Sequence, residues 1–504
     1  MMRACSRLTL LCLVATTLIG LPSAAEEPGS EAPPRISAQD LQADFAVLKR
    51  AYEELHPGLY RYNDKAAMEA NFAALRAELE RDLTLQEAYL ALSRFLAKLK
   101  CGHSYANFFN QPKAIAVALF QQQNRVPFHF RWIERRMIVT RNFSQDARLV
   151  PGSEVLAINA TPAATILDRL LTVARADGSN DAKRVSSLEV GGHSHYEAFD
   201  IYFPLFFPSS GPRLELQVRT SAGKPFTSTV EALTYEQRLE PIKAQVDTRR
   251  EGHGPVWEFK FLDSRTGYLR MPTWALYNSA WDWKGFLDDV FQRLARRKAS
   301  NLIIDLRGNE GGLSVGEVLL SKLTPRDLRL EPVRRLVRYR KVPEDLIPYL
   351  DTWDPSFKDW GADAVEAADG FYRLKKYDSP EGGEVIKASA QPFEGQTYVL
   401  VDASNSSATF EFALALRQSK LATLVGQPTG GNQRGINGGA FFFLRLPRSK
   451  LEVDLPLIGF YPPGERPDAG LIPDLVITPR VQDLARGTDT ELEALRKHLA
   501  ARRR

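Results

Sequence analysis

Thr397-Tyr398-Val399-Leu400-Val401 is an unbroken run of apolar and β-favouring residues, and Asn405-Ser406-Ser407-Ala408-Thr409-Phe410-Glu411-Phe412 follows it after a short polar turn. The first stretch reads as a buried strand. The second, continued by Ala413, Leu414 and residues 416–421, reads as a helix. A serine at a strand-to-helix junction can present its hydroxyl to a ligand. The amide that follows then sits at a helix N-terminus, where negative charge is stabilised. A second strand-loop, Leu302-Ile303-Ile304-Asp305-Leu306-Arg307-Gly308-Asn309-Glu310-Gly311-Gly312, could supply another backbone donor. The pair points to acyl transfer through a serine nucleophile on an α/β core. Taken alone, Ser407 reads as a helix N-cap.

Outward from this pair the alternation continues. Thr266–Arg270 reads as a strand, 281–297 as an amphipathic helix, and a further helix follows Gly312. Alternation of this kind implies an α/β core. Residues 325–390, rich in Pro, Asp and Trp, interrupt it and read as an insertion over the core. Upstream, 126–130, 137–139 and 214–219 read as strands. Pro151-Gly152-Ser153-Glu154-Val155-Leu156-Ala157-Ile158-Asn159 is a turn feeding another, and 164–171 a short helix. This is a small β-rich domain with an exposed edge suited to strand addition. Two amphipathic helices precede it. One opens at Ser37 with a capping-box-like pattern, carries Leu41, Phe45, Leu48, Tyr52 and Leu55, and stops at His56-Pro57-Gly58. The other opens at Thr84 and carries Tyr89, Leu92, Leu96 and Leu99. It runs into Lys100-Cys101-Gly102-His103-Ser104.

The chain has 504 residues, enough for about two to four domains, and a formal net charge of only +5. Its basic residues are scattered, which argues against a nucleic-acid partner. Arg3 and Arg7, the apolar run 8–21 and the small residues Ser23-Ala24-Ala25 read as a secretory signal peptide. A periplasmic or secreted location is expected, with no stable membrane insertion after cleavage. A Pro/Glu-rich leader spans 26–36. Cys5 and Cys12 leave with the signal, so only Cys101 remains, and one cysteine makes no internal disulfide. No phosphate loop, dinucleotide fingerprint or zinc spacing occurs. His193-Ser194-His195 lacks the carboxylate or cysteine support a metal needs. No cofactor or metal is expected.

A serine hydroxyl needs a base to take its proton. The chain has only seven histidines, and His103 stands in a glycine-containing loop after a helix. Here residues 37–105, 150–160, 300–316, 397–415 and 422–475 together resemble the tail-specific, or C-terminal processing, serine peptidases. The most specific pieces are Ile304 to Gly312, Ser406-Ser407-Ala408, Val425-Gly426-Gln427-Pro428-Thr429-Gly430-Gly431 and Asp468-Ala469-Gly470-Leu471-Ile472-Pro473-Asp474.

The resemblance implies a crotonase/ClpP-like α/β peptidase core over 251–490, with the insertion at about 325–390. A helical N-terminal domain over 26–108 and a PDZ-like β-rich domain over 109–250 would precede it; a signal peptide (1–25) and a basic tail (491–504) would flank the whole. One branch of the family uses a serine-lysine dyad, but the lysine position here is Asn432, beside Gln433 and Arg434. Neither an amide nor a guanidinium acts as a base near neutral pH. The chain is therefore more similar to the tricorn-type branch, which uses histidine and an acid. That implies Ser407 as nucleophile, with Ser406 the alternative, His103 as base, and Asp468 as its orienter where the family usually has glutamate. Ala408 N–H and the amide of Gly311 or Gly312 would form the oxyanion hole. The expected activity is an exported serine endopeptidase cutting proteins or peptides near their C-termini. An inert peptide-binding protein and an acyl hydrolase on the same core are the other readings.

Overall fold

The computed structural model describes residues 35–192, 194–240, 256–277, 279–377 and 383–501. The expected signal peptide, most of the leader, His193, the 241–255 boundary and Arg502 to Arg504 lie outside the described residues. The described chain forms one compact unit.

Helices α1 (Ala38–Leu55), α2 (Lys65–Glu78) and α3 (Leu85–Lys98) open it. Ser37 caps α1 through its hydroxyl, and Thr84 with Glu87 closes a full capping box on α3. Helix α2 escaped the sequence reading, although Asp64 caps it and Met68, Phe72 and Leu75 form its buried stripe. The end of the expected leader is structured: Arg35–Ile36 pairs with Leu83–Thr84.

The β-rich region contains β1 (Phe128–Ile133), β2 (Arg136–Asn142), β3 (Glu154–Ile158), helix α4 (Ala163–Leu171), β4 (Arg213–Arg219) and β5 (Pro225–Glu231). The five strands lie in sequence order in an antiparallel sheet. Its β1 edge is partly covered. Phe130 exchanges backbone bonds with Val190, and Arg125 bridges Leu233 just beyond β5. An edge covered in this way is protected from unwanted pairing.

The remaining chain supplies β6 (Glu258–Asp263), β7 (Thr266–Arg270), α5 (Trp283–Arg296), β8 (Asn301–Asp305), α6 (Val315–Leu323), β9 (Arg334–Val337), β10 (Leu350–Asp351), β11 (Ala364–Glu366) and β12 (Tyr372–Leu374). It continues through β13 (Gln396–Val401), α7 (Ser407–Ser419), β14 (Thr423–Gly426), β15 (Asn437–Arg445), β16 (Glu452–Tyr461) and β17 (Leu475–Val476). One sheet runs β17-β14-β13-β8-β7-β6, parallel except at β6. Every residue of β8 is buried, as expected of a central parallel strand.

A second sheet runs β10-β15-β16-β9-β12-β11 and is antiparallel. The 325–390 segment is therefore more than a cover over the core. It contributes β9 to β12, which flank the long apolar strands β15 and β16. The hydrophobic interior of this sheet is continuous with that of the N-terminal helices and the β-rich region, while the parallel sheet has its own cluster with α5, α6 and α7.

Candidate active site

In a parallel sheet, ligands bind beyond the carboxyl ends of the strands. Three neighbouring strands, β8, β13 and β14, end here in the 306–312 loop, the 402–406 turn and the 427–432 loop. Side-chain amides sew these together. Asn405 Nδ2 donates to Leu306 O at 2.6 Å and Asn309 O at 3.0 Å. Thr409 Oγ1 donates to Asn309 O at 2.9 Å, and Gly430 N to Asn405 O at 2.8 Å. Asn405 and Thr409 are fully buried. Behind the loop, Asp305 accepts from Tyr268 and Arg307, and Arg307 continues to Asp489 and Glu491. Those charges brace the loop from below.

Ser407 opens α7 with φ +51°. A non-glycine residue in the left-handed region is strained, and such strain gathers at functional sites. Ser406 is different. It has extended backbone, and its hydroxyl lies 3.3 Å from Ser404 O and 3.4 Å from Glu310 O. Gly311 packs directly on the serine: a Cβ there would lie 3.0 Å from Ala408 N and 3.1 Å from Ser407 Cβ. Gly312, at φ +136°, packs against Trp274, where a Cβ would lie 2.2 Å from the carbonyl oxygen. These two glycines let the loop close on the serine. Of the two amides expected as oxyanion donors, Gly311 N–H is spent on Asn309 Oδ1 at 2.9 Å. That leaves Gly312, together with Ala408 in the first turn of α7, where amides lack intrahelical acceptors.

His103 is half-buried and makes no hydrogen bond to Ser407. Its ring shares surroundings with the serine through Glu310, within electrostatic reach of the imidazole, and Gly311, against Ser407. His103 Nδ1 is buried without a hydrogen-bond partner. Burial lowers the His103 pKa, Asp177 and Glu310 raise it, and Arg175 and Lys183 lower it; the outcome is below the ordinary value. The imidazole is therefore neutral at neutral pH, the form that can accept a proton.

Asp468, expected to orient His103, is hydrogen-bonded elsewhere in this structure. Its carboxylate accepts from Ser179 N at 2.9 Å, Ser179 Oγ at 2.9 Å and Asn432 Nδ2 at 2.7 Å, and it makes no bond to His103. Burial pushes this carboxyl up, but the Ser179 and Asn432 donors outweigh that and hold it below its usual range.

The carboxylate beside His103 is instead Asp177, which sequence reasoning missed. It is buried, and its Oδ1 accepts from Gly102 N at 2.9 Å. A Cβ on Gly102 would sit 2.7 Å from Asp177 Oδ2, so the carboxylate occupies the space a side chain at 102 would need. The same loop grips its neighbours. Gly178 N donates to Lys100 O at 2.8 Å, and Arg175 donates to Gly102 O while lying 3.9 Å from the Tyr105 ring centroid. Asn432, at the dyad-lysine position, donates to Asp177 O at 3.1 Å as well as to Asp468. One chain of hydrogen bonds runs from Asp468 through Asn432 and Asp177 to Gly102, the residue before His103.

A buried lysine does approach the serine turn. Lys183 donates to Ser404 O at 3.1 Å and pairs with Glu310. The Lys183 charge, ahead of Arg175, holds the Glu310 carboxyl down to about 2. Because 56% of the Glu310 side chain remains exposed, water screens this pair. A buried Lys183 after Asn180, which caps its helix, is a signal only tertiary context makes legible. Among the described residues, no cluster of three or more His, Cys, Asp and Glu is placed to hold a metal. Cys101 is free and buried.

Residues 265–477 match the family described as peptidase family S41. The chain thus carries an S41 peptidase domain over this span. The chain is a serine-type peptidase, and the matched span holds both strand-loops of the site and Asp468. His103, Asp177 and Lys183 come from outside it. No curated protein matches the chain. Among solved structures, mature CPAF complexed with lactacystin is 14% identical, with a TM-score of 0.61 over 89% of this chain and 95% of that one. Mature CPAF alone is 15% identical, with a TM-score of 0.58 over 89% and 94%. At such identities the likeness is one of fold.

Proposed function

We propose that this S41 peptidase is an exported endopeptidase of the histidine-dependent branch, acting through an acyl-enzyme on Ser407. The observation that carries the reading is the left-handed Ser407, packed against Gly311 at the N-terminus of α7. His103 takes the proton as Ser407 Oγ attacks the scissile carbonyl, and gives it to the leaving amine. The Ala408 and Gly312 amides receive the developing oxyanion. Water then attacks the ester, again with His103 as base. Asp177 supplies the negative charge that favours the imidazolium. Asn432 at the lysine position supports this branch over the dyad.

The catalytic experiment is labelling with a fluorophosphonate, together with cleavage of a fluorogenic peptide. Ser407→Ala should abolish labelling and lower kcat/KM by about 10³-fold or more, while Ser406→Ala should keep most activity. Equal cleavage by Ser407→Ala and wild type would refute the assignment.

One observation favours an inert binder: His103 and Ser407 are not hydrogen-bonded. Catalytic contacts often tighten only with substrate bound, and labelling lost in His103→Ala separates the two cases. Export rests on the signal-like segment ahead of Glu26; a mature protein still carrying residues 1–25 would exclude it. Cleavage near C-termini rests on the β-rich region acting as a PDZ-like clamp. With β1 covered at Phe130, the clamp would use another part of that sheet. Amidating a peptide's C-terminus should weaken its cleavage if this holds.

A further inference from the structure

Strand β15 carries Phe441, Phe442, Phe443 and Leu444 in succession. Phe442 and Leu444 are fully buried, and Phe441 and Phe443 on the other face are only half-buried. That face would ordinarily be polar in a sheet with one solvated side. Here it meets Trp353, whose ring centroid lies 5.9 Å from Phe441 and 5.9 Å from Phe443. Pairing of Leu350 with Leu444 and of Asp351 with Phe443 brings this tryptophan onto the strand. Phe357 packs edge-on against it at 5.5 Å, yet Trp353 stays 59% exposed. A tryptophan left this open beside two outward phenylalanines is an unusual apolar surface.

The surface does not end there. Phe441 lies 5.9 Å from the His103 ring. The backbone beside the imidazole is kept bare: a Cβ on Gly438 would lie 4.0 Å from His103 Cε1 and Nε2, and the β15–β16 register shifts between Gly438 and Phe441. Bulges beside active sites re-aim side chains. This one falls between Gly438 and Phe441, both of which lie close to the imidazole.

We propose that Trp353, Phe441 and Phe443 form a substrate subsite that accepts one large apolar side chain, aromatic or leucine-like, close to the scissile bond. The proposal rests on the reading of Ser407 and His103 as the catalytic pair. Two ring-to-ring steps of 5.9 Å separate the imidazole from Trp353. At about 3.3 Å per extended residue, the side chain belongs to a residue within about four of the cleaved bond. Continuity with the imidazole favours substrate over a second copy of the chain as the occupant. The 325–390 segment then carries the exposed wall of the subsite, since Trp353 lies within it.

The test measures kcat/KM for fluorogenic peptides that differ only by Leu, Phe or Ser at each position near the cleaved bond. The ratio of apolar to Ser substrate is read within each variant, so a general folding defect cancels. Wild type should prefer the apolar peptide about tenfold or more at one position. Trp353→Ala should reduce that ratio to within about threefold of unity, chiefly through KM, and Trp353→Phe should restore part of it. An unchanged ratio in Trp353→Ala overturns the subsite. So does a change in sedimentation with unaltered peptide kinetics, which would assign the surface to self-association. Failure of wild type to label with fluorophosphonate would overturn the catalytic reading itself.

Discussion

Asp177→Asn separates charge from shape at the base. Asparagine nearly matches aspartate in size, and its Oδ1 can still accept from Gly102 N, now at 2.9 Å from the carboxylate. The loop carrying His103 therefore keeps its grip, and only the negative charge leaves. Four charged groups face the imidazole: Asp177 and Glu310 favour the imidazolium, Arg175 and Lys183 oppose it. An opposite charge nearby favours the charged form by about one pKa unit or somewhat more, about 1–2 kcal/mol. Losing that much imidazolium stabilisation in the transition state corresponds to roughly 5–30-fold in kcat/KM. Asp177→Ala also strips the acceptor from Gly102 N, and the loss should approach about 10²-fold.

The pH profile supplies the sign. His103 must be neutral to act as a base, so activity falls as pH drops through its already lowered pKa. Removing a charge that raises this pKa lets it fall further. In Asp177→Asn the acid limb should move to lower pH while the plateau falls. The assay is kcat/KM for a fluorogenic peptide across about pH 4 to 8, with thermal unfolding as the fold control. Wild-type plateau and acid limb in Asp177→Asn, with Asp468→Asn losing the activity instead, would refute the reasoning.

Gly312→Ala should place a methyl against the Trp274 carbonyl at a left-handed φ. A cost of about 1–3 kcal/mol is expected, read as a lowered Tm with slower fluorophosphonate labelling; an unchanged Tm would count against the packing described. Lys183→Met should lower kcat more than stability, because the exposed Glu310 is resolvated while Ser404 O loses one of its two donors. Unaltered turnover would show that the serine turn needs no such support. His56 is 1% exposed, and burial, aided by Arg61, pushes its pKa down to about 3. The unfolded chain therefore binds the extra proton between about pH 6.5 and 3. The resulting penalty is absent above the unfolded value and grows as pH falls toward the folded one, to about 5 kcal/mol at most. Urea unfolding at about pH 5 and 7 checks this, and a His56→Phe variant should show a flatter dependence.

Much of this protein is local information. The β13 strand, the serine turn, the glycine loop and the caps at Ser37 and Thr84 each depend on residues adjacent in the chain. Period, turn chemistry and capping therefore suffice to place them, and their order points to the S41 family. Helix α2 is equally local, with its Asp64 cap and 68–72–75 stripe, and was legible in the same way. Which carboxylate stands beside His103 is a different kind of question. Asp177 and Asp468 both sit in polar loops, and nothing in their neighbours ranks them. Gly102 decides between them, since its missing side chain leaves room for Asp177 while Ser179 and Asn432 capture Asp468. The same holds for Lys183 and for Trp353, whose partners Glu310 and Phe441 lie far along the chain. Short-range preferences are written residue by residue; contacts between distant segments exist only once the two sheets and the N-terminal helices have packed together.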